Sequence, residues 1–279
     1  MRIGLVTCLR LPEPDPDHPL LIEALTRRGH KPILIPWDGP DQRYDTDVNL
    51  LRSPWNYYEA SEAFLSWIER IASRRPLINP PEVIRWNIHK HYLAVLQQRS
   101  VPIVPTKWFS REEHVDLAAL MQESAWDRVV IKPAISAASF RTRSFGQGEV
   151  IEAQKFVSQL VAERDVLVQK YMDGFADPGE RSLIWIAGEW THAVRKRPRF
   201  DCQIERVEAD SPPQPLEIRL AEAAIESQNH RLTYGRVDVI ADERGRHLVS
   251  EVELIEPSLF FTHGPAHALE RLIDRIETF

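Results

Sequence analysis

Residues 234–257 read YGRVDVIADERGRHLVSEVELIEP. Two runs of alternating apolar residues flank an Asp-Glu-Arg-Gly segment, which predicts a β-hairpin turning at Glu243–Gly245. Asp238 stands in the first strand, Glu251 and Glu253 in the second. Side chains two apart on a strand leave from the same face, so the two glutamates project together, and closing the hairpin brings Asp238 beside them. Three such carboxylates repel one another unless a cation separates them, and hard oxygen donors suit Mg²⁺. The plainer alternative is a strand with a solvated polar face. The inward alternation of Val252 and Leu254 and the closeness of two glutamates weigh against it.

A second segment, VVIKPAISAASF (129–140), is a buried-strand run that ends in Lys132 and continues as a loop of small residues. A lysine at a strand end can extend to the surface. Small residues after it allow backbone amides and hydroxyls to approach a phosphate, to which lysine adds a point charge. Phosphate loops are usually glycine-rich, and this one is not. LVQKYM (167–172) is an apolar strand leading to a hinge. Its exposed backbone groups suit the edge of an adenine ring, although an ordinary strand end reads the same way. Positive charge is spread among Arg52, Lys90, Lys196 and Arg236, the last on the face of Asp238. Singly these read as surface residues. Together they suit an anionic ligand.

The remaining chain supports two α/β regions. RIGLVTC, KPILIPW and DVNLLRSPW (47–55) are strands separated by helical patterns, which predicts a parallel, doubly wound sheet over residues 1–80. LINPPEV (77–83) marks a junction. Beyond it, HKHYLAVLQQRS (89–100) reads as a helix. SREE (110–113) reads as a capping box opening a helix to about Gln122. Residues 181–198 read as a hairpin turning at Ala187-Gly188, and AHALERLIDRIE as a closing amphipathic helix.

The 279 residues carry 35 basic and 41 acidic side chains, a net charge of −6, which excludes a general nucleic-acid binder. Two cysteines, Cys8 and Cys202, are too few for a disulfide scaffold or a cysteine zinc site. The N-terminal apolar run is too short for a signal peptide and no stretch reaches transmembrane length, so a cytoplasmic protein without a membrane partner is expected. GQG at 146–148 lacks the context of a dinucleotide loop. His263 and His267 lack the glutamate of a zincin.

In order, LRSPWNYYEA, RWNIHKHYL, VVIKPAIS, LVQKYM, GERSLIWIAGEWTHAVRKRP, GRVDVI and SEVELIEPSLF resemble the ATP-grasp superfamily across essentially the whole chain. Within it they are most similar to the glutathione-synthetase-like group that includes the cycloserine-forming cyclo-ligase. The resemblance implies a Rossmann-like pre-ATP-grasp domain at 1–80 and an ATP-grasp domain at 81–279, with a nucleotide lobe at about 100–172 and a metal and substrate lobe at 173–279. It implies ATP held at its phosphates by Lys90 and Lys132 and the loop serines Ser136 and Ser139, at its adenine by Gln169, Lys170, Tyr171 and Met172, and near its ribose by Glu180, with Lys196 over the nucleotide. Asp238, Glu251 and Glu253 would hold two Mg²⁺ ions, with Mn²⁺ as a substitute. Arg236 would face the reacting acyl phosphate. Arg52, Ser53, Trp55, Tyr57 and Ser258 would line an acceptor pocket. The expected activity joins a small carboxylate to an amine, or cyclises one molecule. A nucleotide-binding scaffold without turnover and a small-molecule kinase are the alternatives. Dimers are common among such proteins, which keeps a homodimer open.

Overall fold

The computed structural model describes residues 1–40, 45–197 and 206–279; Cys202 and Pro198 lie outside them. The first region contains β1 (Arg2–Thr7), α1 (Asp17–Arg27), β2 (Lys31–Pro36), β3 (Val48–Ser53), α2 (Ser61–Ala72) and β4 (Leu77–Ile78). Its sheet runs β2-β1-β3-β4, and every pairing is parallel. Parallel strands need both faces covered. Ile3, Leu5, Val48 and Leu50 pack with Leu21 and Leu25 of α1 on one side, while Val6 and Leu51 pack with Phe64 and Ile68 of α2 on the other.

The prolines at 80 and 81 do more than mark a break. Pro81 is the first residue of α3 (Pro81–Asn87), where its fixed φ favours a helix start. The helix expected from residue 89 begins only at Tyr92, as α4 (Tyr92–Gln98). Next come β5 (Thr106–Phe109), α5 (Leu117–Ser124), β6 (Arg128–Pro133), β7 (Arg143–Gly146), α6 (Val150–Glu163) and β8 (Val166–Lys170), with an antiparallel sheet ordered β5-β8-β6-β7. The expected capping box closes only a turn: Glu113 Oε2 accepts from the Ser110 amide at 2.7 Å. The helix itself starts at Leu117, where Asp116 accepts from the Ala119 amide at 3.0 Å and meets the orphan N–H that a helix start exposes.

The last region contains β9 (Glu180–Ile186), β10 (Glu189–Arg197), β11 (Arg206–Ala209), α7 (Pro215–Glu226), β12 (Tyr234–Ala241), β13 (His247–Glu253) and α8 (Ala266–Ile276). The sheet runs β11-β10-β9-β12-β13, antiparallel throughout. Ala187 and Gly188 turn the β9–β10 hairpin with φ of 45° and 95°, the left-handed pair that a two-residue turn requires. α8 returns to the N-terminal region and packs Leu272, Ile273 and Ile276 into its core. Among the described residues no helix is long and apolar enough to cross a membrane.

Candidate active site

The β12–β13 register places Arg236 opposite Glu253 and Asp238 opposite Glu251. Directly opposed residues share a face, so all four project together. The next strands extend the row: Asp238 is opposite Ser182, and Glu180 is opposite Lys196. The other face of this sheet packs Val237, Val239 and Val252 against Ala221 and Ala224 of α7. The polar face is therefore turned toward Lys90, Lys132 and Gln169, which line the same cleft.

The carboxylates do not converge on one point. Among the described residues no three acidic, histidine or cysteine groups are disposed around a single metal position. The acids are instead ion-paired to cations, two of which are shared. Lys90 Nζ lies 2.8 Å from Glu251 Oε1, and Lys132 Nζ 3.8 Å from Glu251 Oε2. Lys196 Nζ sits 2.7 Å from Asp238 Oδ2 and 3.0 Å from Glu180 Oε2. Arg236 donates from Nε and Nη2 to Asp238, both at 2.9 Å, and from Nη2 to Glu253. Access separates the three acids as metal donors. The side chains of Glu251 and Glu253 are 25% and 28% exposed, that of Asp238 only 1%. The two cleft-facing glutamates fit a hard divalent cation once Lys90, Lys132 and Arg236 turn to another anion, and Asp238 needs Lys196 or Arg236 to do the same.

The charges tune one another. Burial alone would raise the Glu251 carboxyl, but Lys90 and Lys132 outweigh it and hold it at about 2. Burial of Asp238 is likewise outweighed, by Arg236 and Lys196, so its carboxyl lies well below the usual range. Burial pushes Glu253 up to about 7; Arg236 opposes this, and the neighbouring Asp238 and Glu251 add to it. Burial lowers the Lys132 ammonium, and Glu251 opposes that fall.

Burial also pushes Glu256 up to about 8, with Glu253 adding to the effect. The unfolded chain releases this proton near pH 4.3. The folded chain keeps it until about pH 8, so the native state binds the extra proton between these limits and stability falls as pH rises through them. Glu256→Gln should flatten that fall by about 1 kcal/mol or more, measured as denaturant midpoints between pH 5 and 8. An unchanged slope would refute the assignment.

Of the remaining expected residues, Ser136, Ser139, Gln169, Trp55, Tyr57 and Ser258 line the cleft. Arg52 and Ser53 do not. Arg52 is wholly buried beneath it, with Nη2 3.3 Å from Asp17 and 3.1 Å from the Pro257 carbonyl. Ser53 shares a buried polar cluster with Thr7 and His18. β3 is covered on both faces, so its last residues are drawn inward. Lys170, Tyr171 and Met172 also leave the lining. Lys170 pairs with Glu243 at 3.5 Å, Arg128 stacks 3.8 Å over the Tyr171 ring, and Met172 packs beside Phe175.

Glu13, Tyr92, Phe175, Ser250 and Glu256 line the cleft without having been singled out in the sequence. Glu13 could have been found from its place after β1, since ligands of doubly wound sheets bind at the carboxyl ends of strands. Glu256 directly follows the acidic strand.

The glycine-free loop is accounted for by its backbone. Ala138, Ser139 and Arg141 have φ of 49°, 56° and 48°. Each such residue costs about 1–2 kcal/mol. The contacts that hold them include Phe140 stacked on Tyr58 at 4.1 Å, Ile135 and Ala137 against the N-terminal core, and Arg141 paired with Glu163 at 2.5 Å. The Ser136 hydroxyl turns back to the Pro133 carbonyl, while the Ser136 carbonyl accepts from Lys90 at 2.9 Å.

Residues 3–79 match the family described as the N-terminal domain of the D-cycloserine synthetase DcsG. The cycloserine biosynthesis protein DcsG of Streptomyces lavendulae is 28% identical over 275 residues, covering 91% of each chain. The crystal structure of D-cycloserine synthetase DcsG superposes with a TM-score of 0.89 at 26% identity, over 100% of this chain and 99% of that one. This chain's fold is that of the ATP-grasp ligases. The same fold is found in the D-alanine–D-alanine ligase of Bacillus anthracis complexed with ATP, with a TM-score of 0.71 at 16% identity over 100% of this chain and 96% of that one. The cleft thus has basic residues from three different segments facing acids from one sheet. That is the charge layout for a ligand whose own anions and counter-cations replace the protein's internal pairs.

Proposed function

We propose that this chain is an ATP-dependent ligase that activates a small amino-acid-like carboxylate as an acyl phosphate and couples it to a nitrogen nucleophile, either on a second molecule or within the same one, as in cycloserine formation. The observation that carries this reading is the set of exchangeable ion pairs. Lys90 and Lys132 rest on Glu251, and Arg236 bridges Asp238 and Glu253. ATP phosphates would take the lysines, freeing the glutamates for Mg²⁺. When bound, the metal neutralises phosphate charge and polarises the transferred group. Asp238, Glu251 and Glu253 would hold two such ions, Mg²⁺ or Mn²⁺. Gln169 and the 170–172 backbone would face the base, Glu180 the ribose, and Ser136 and Ser139 the phosphates.

A substrate carboxylate oxygen attacks the γ-phosphorus, the bond to the β-phosphate oxygen breaks, and ADP leaves. The nitrogen then attacks the acyl carbon, the carbon–oxygen bond to phosphate breaks, and the nitrogen loses its proton to the departing phosphate or to solvent. Arg236 and Lys132 offset the charge that develops in both steps. The 134–142 loop keeps water from the acyl phosphate. Residues 1–80 act as the pre-ATP-grasp domain presenting Trp55 and Tyr57 to the acceptor, and 81–279 as the ATP-grasp domain.

ADP release should require both Mg²⁺ and the amino-acid-like substrate, and hydroxylamine should divert the intermediate to a hydroxamate. Formation of AMP and pyrophosphate would overturn the mechanism. A stable phosphorylated product would make the protein a kinase.

A further inference from the structure

β13 is the outer strand of its sheet among the described residues, so the N–H and C=O groups along its far side lack a neighbouring strand. Buried backbone groups still need partners. Val249 finds them in the 102–104 segment: its amide donates to the Pro102 carbonyl and its carbonyl accepts from the Val104 amide, both at 2.9 Å. Further along, the partners are two side chains. Tyr92 Oη accepts from the Val252 amide at 2.9 Å. Asn87 Nδ2 donates to the Val252 carbonyl and Asn87 Oδ1 accepts from the Leu254 amide, both at 2.8 Å. The Asn87 side chain thus pairs with the strand as another strand's peptide would.

The residues so fastened flank the site from both sides. Val252 lies between Glu251 and Glu253. Asn87 closes α3 and Tyr92 opens α4, so Lys90 sits in the short link between the two helices. Lys90 Nζ reaches Glu251 at 2.8 Å, a contact that an incoming anion and cation would break. The bonds from Asn87 and Tyr92 go to backbone groups and do not have to break with it. The Tyr92 ring is itself stacked on Trp86 with centroids 5.1 Å apart, and the Lys90 amide donates to the Ala134 carbonyl at 2.8 Å.

We propose that Asn87 and Tyr92 are positioning residues that hold Lys90 and the Glu251–Glu253 pair at a fixed separation, so that the lysine and a glutamate-bound cation meet the same phosphates at once. The proposal rests on the ligase reading above. If the two side chains only covered a strand edge, their loss would weaken every ligand of the cleft alike. If they set the separation, their loss falls on the coupling between cation and phosphate, because two groups that shift against each other no longer engage one ligand together.

The test is calorimetric titration of the full chain with a non-hydrolysable ATP analogue, with and without Mg²⁺, and with adenosine. In the wild type Mg²⁺ should tighten the analogue at least about 30-fold. Tyr92→Phe keeps the ring on Trp86 and removes only the acceptor of the Val252 amide; it should cut this enhancement about 5-fold. Asn87→Ala removes two bonds and should cut it about 10-fold or more, with adenosine affinity within about 2-fold of wild type in both variants. Tyr92→Phe carries the test alone if Asn87→Ala does not fold. A full Mg²⁺ enhancement in folded variants, or equal losses for adenosine and the analogue, would overturn the positioning role and leave the ligase reading standing. No Mg²⁺ enhancement in the wild type would overturn the ligase reading and the proposal with it.

Discussion

Replacing Arg236 by alanine is expected to lower kcat by about 10³-fold while KM for ATP changes by less than about 5-fold. Arg236 is 5% exposed, and its guanidinium reaches Asp238 and Glu253 on the acidic face and touches the carbonyl of Ser258. In the proposed function it is the cation placed where the two substrates meet, and its effect then belongs to the transition state more than to nucleotide binding. The substitution also leaves Glu253 without its arginine. Thermal melting of the same variant separates that loss from the catalytic one. A KM effect with kcat preserved within 10-fold would move Arg236 from the reacting phosphoryl group to simple ATP binding.

Replacing Asp17 by alanine is expected to cost about 3–5 kcal/mol of stability, seen as a fall of about 10 °C in Tm. Asp17 is wholly buried, pairs with the wholly buried Arg52, and accepts three backbone amides of the 259–261 segment. Arg52 Nε and Nη1 already lack hydrogen-bond partners among the described residues. Without Asp17 the Arg52 guanidinium loses its counter-ion and keeps only the Pro257 carbonyl, and three N–H groups are left unsatisfied in the core, each with a desolvation cost. A loss below about 1 kcal/mol would show that water or local rearrangement compensates. Because this pair ties the N-terminal region to the loop carrying Glu256 and Ser258, surviving activity should show a raised KM for the acid substrate.

Much of this molecule is legible one segment at a time. The alternation of VDVI and EVEL fixes which residues of β12 and β13 share a face, and the apolar runs of β1, β2 and β3 separated by helices specify a doubly wound sheet. Such patterns arise from the covalent two-residue repeat of a strand and the 3.6-residue turn of a helix, so they are written locally. β7 and β11 escape because four-residue strands at sheet edges carry little periodicity. α3 escapes because its two starting prolines read as a break.

Partner choice is decided differently. The acidic face of the hairpin can be read from residues 234–257 alone, but the pairing of Glu251 with Lys90 and Lys132 cannot, nor can the burial of Arg52 against Asp17 and Pro257. Those contacts form when distant segments close on one another. Burial and opposing charge then decide which acid is held ionised, as in Glu251 at about 2, and which keeps its proton, as in Glu256 at about 8. Local repeats were enough for the longer strands, the hairpin face and the acids and lysines that face one another across the cleft. Which cation each carboxylate meets is set by the closing of distant segments, because Coulomb energy and desolvation depend on distances that no local repeat encodes.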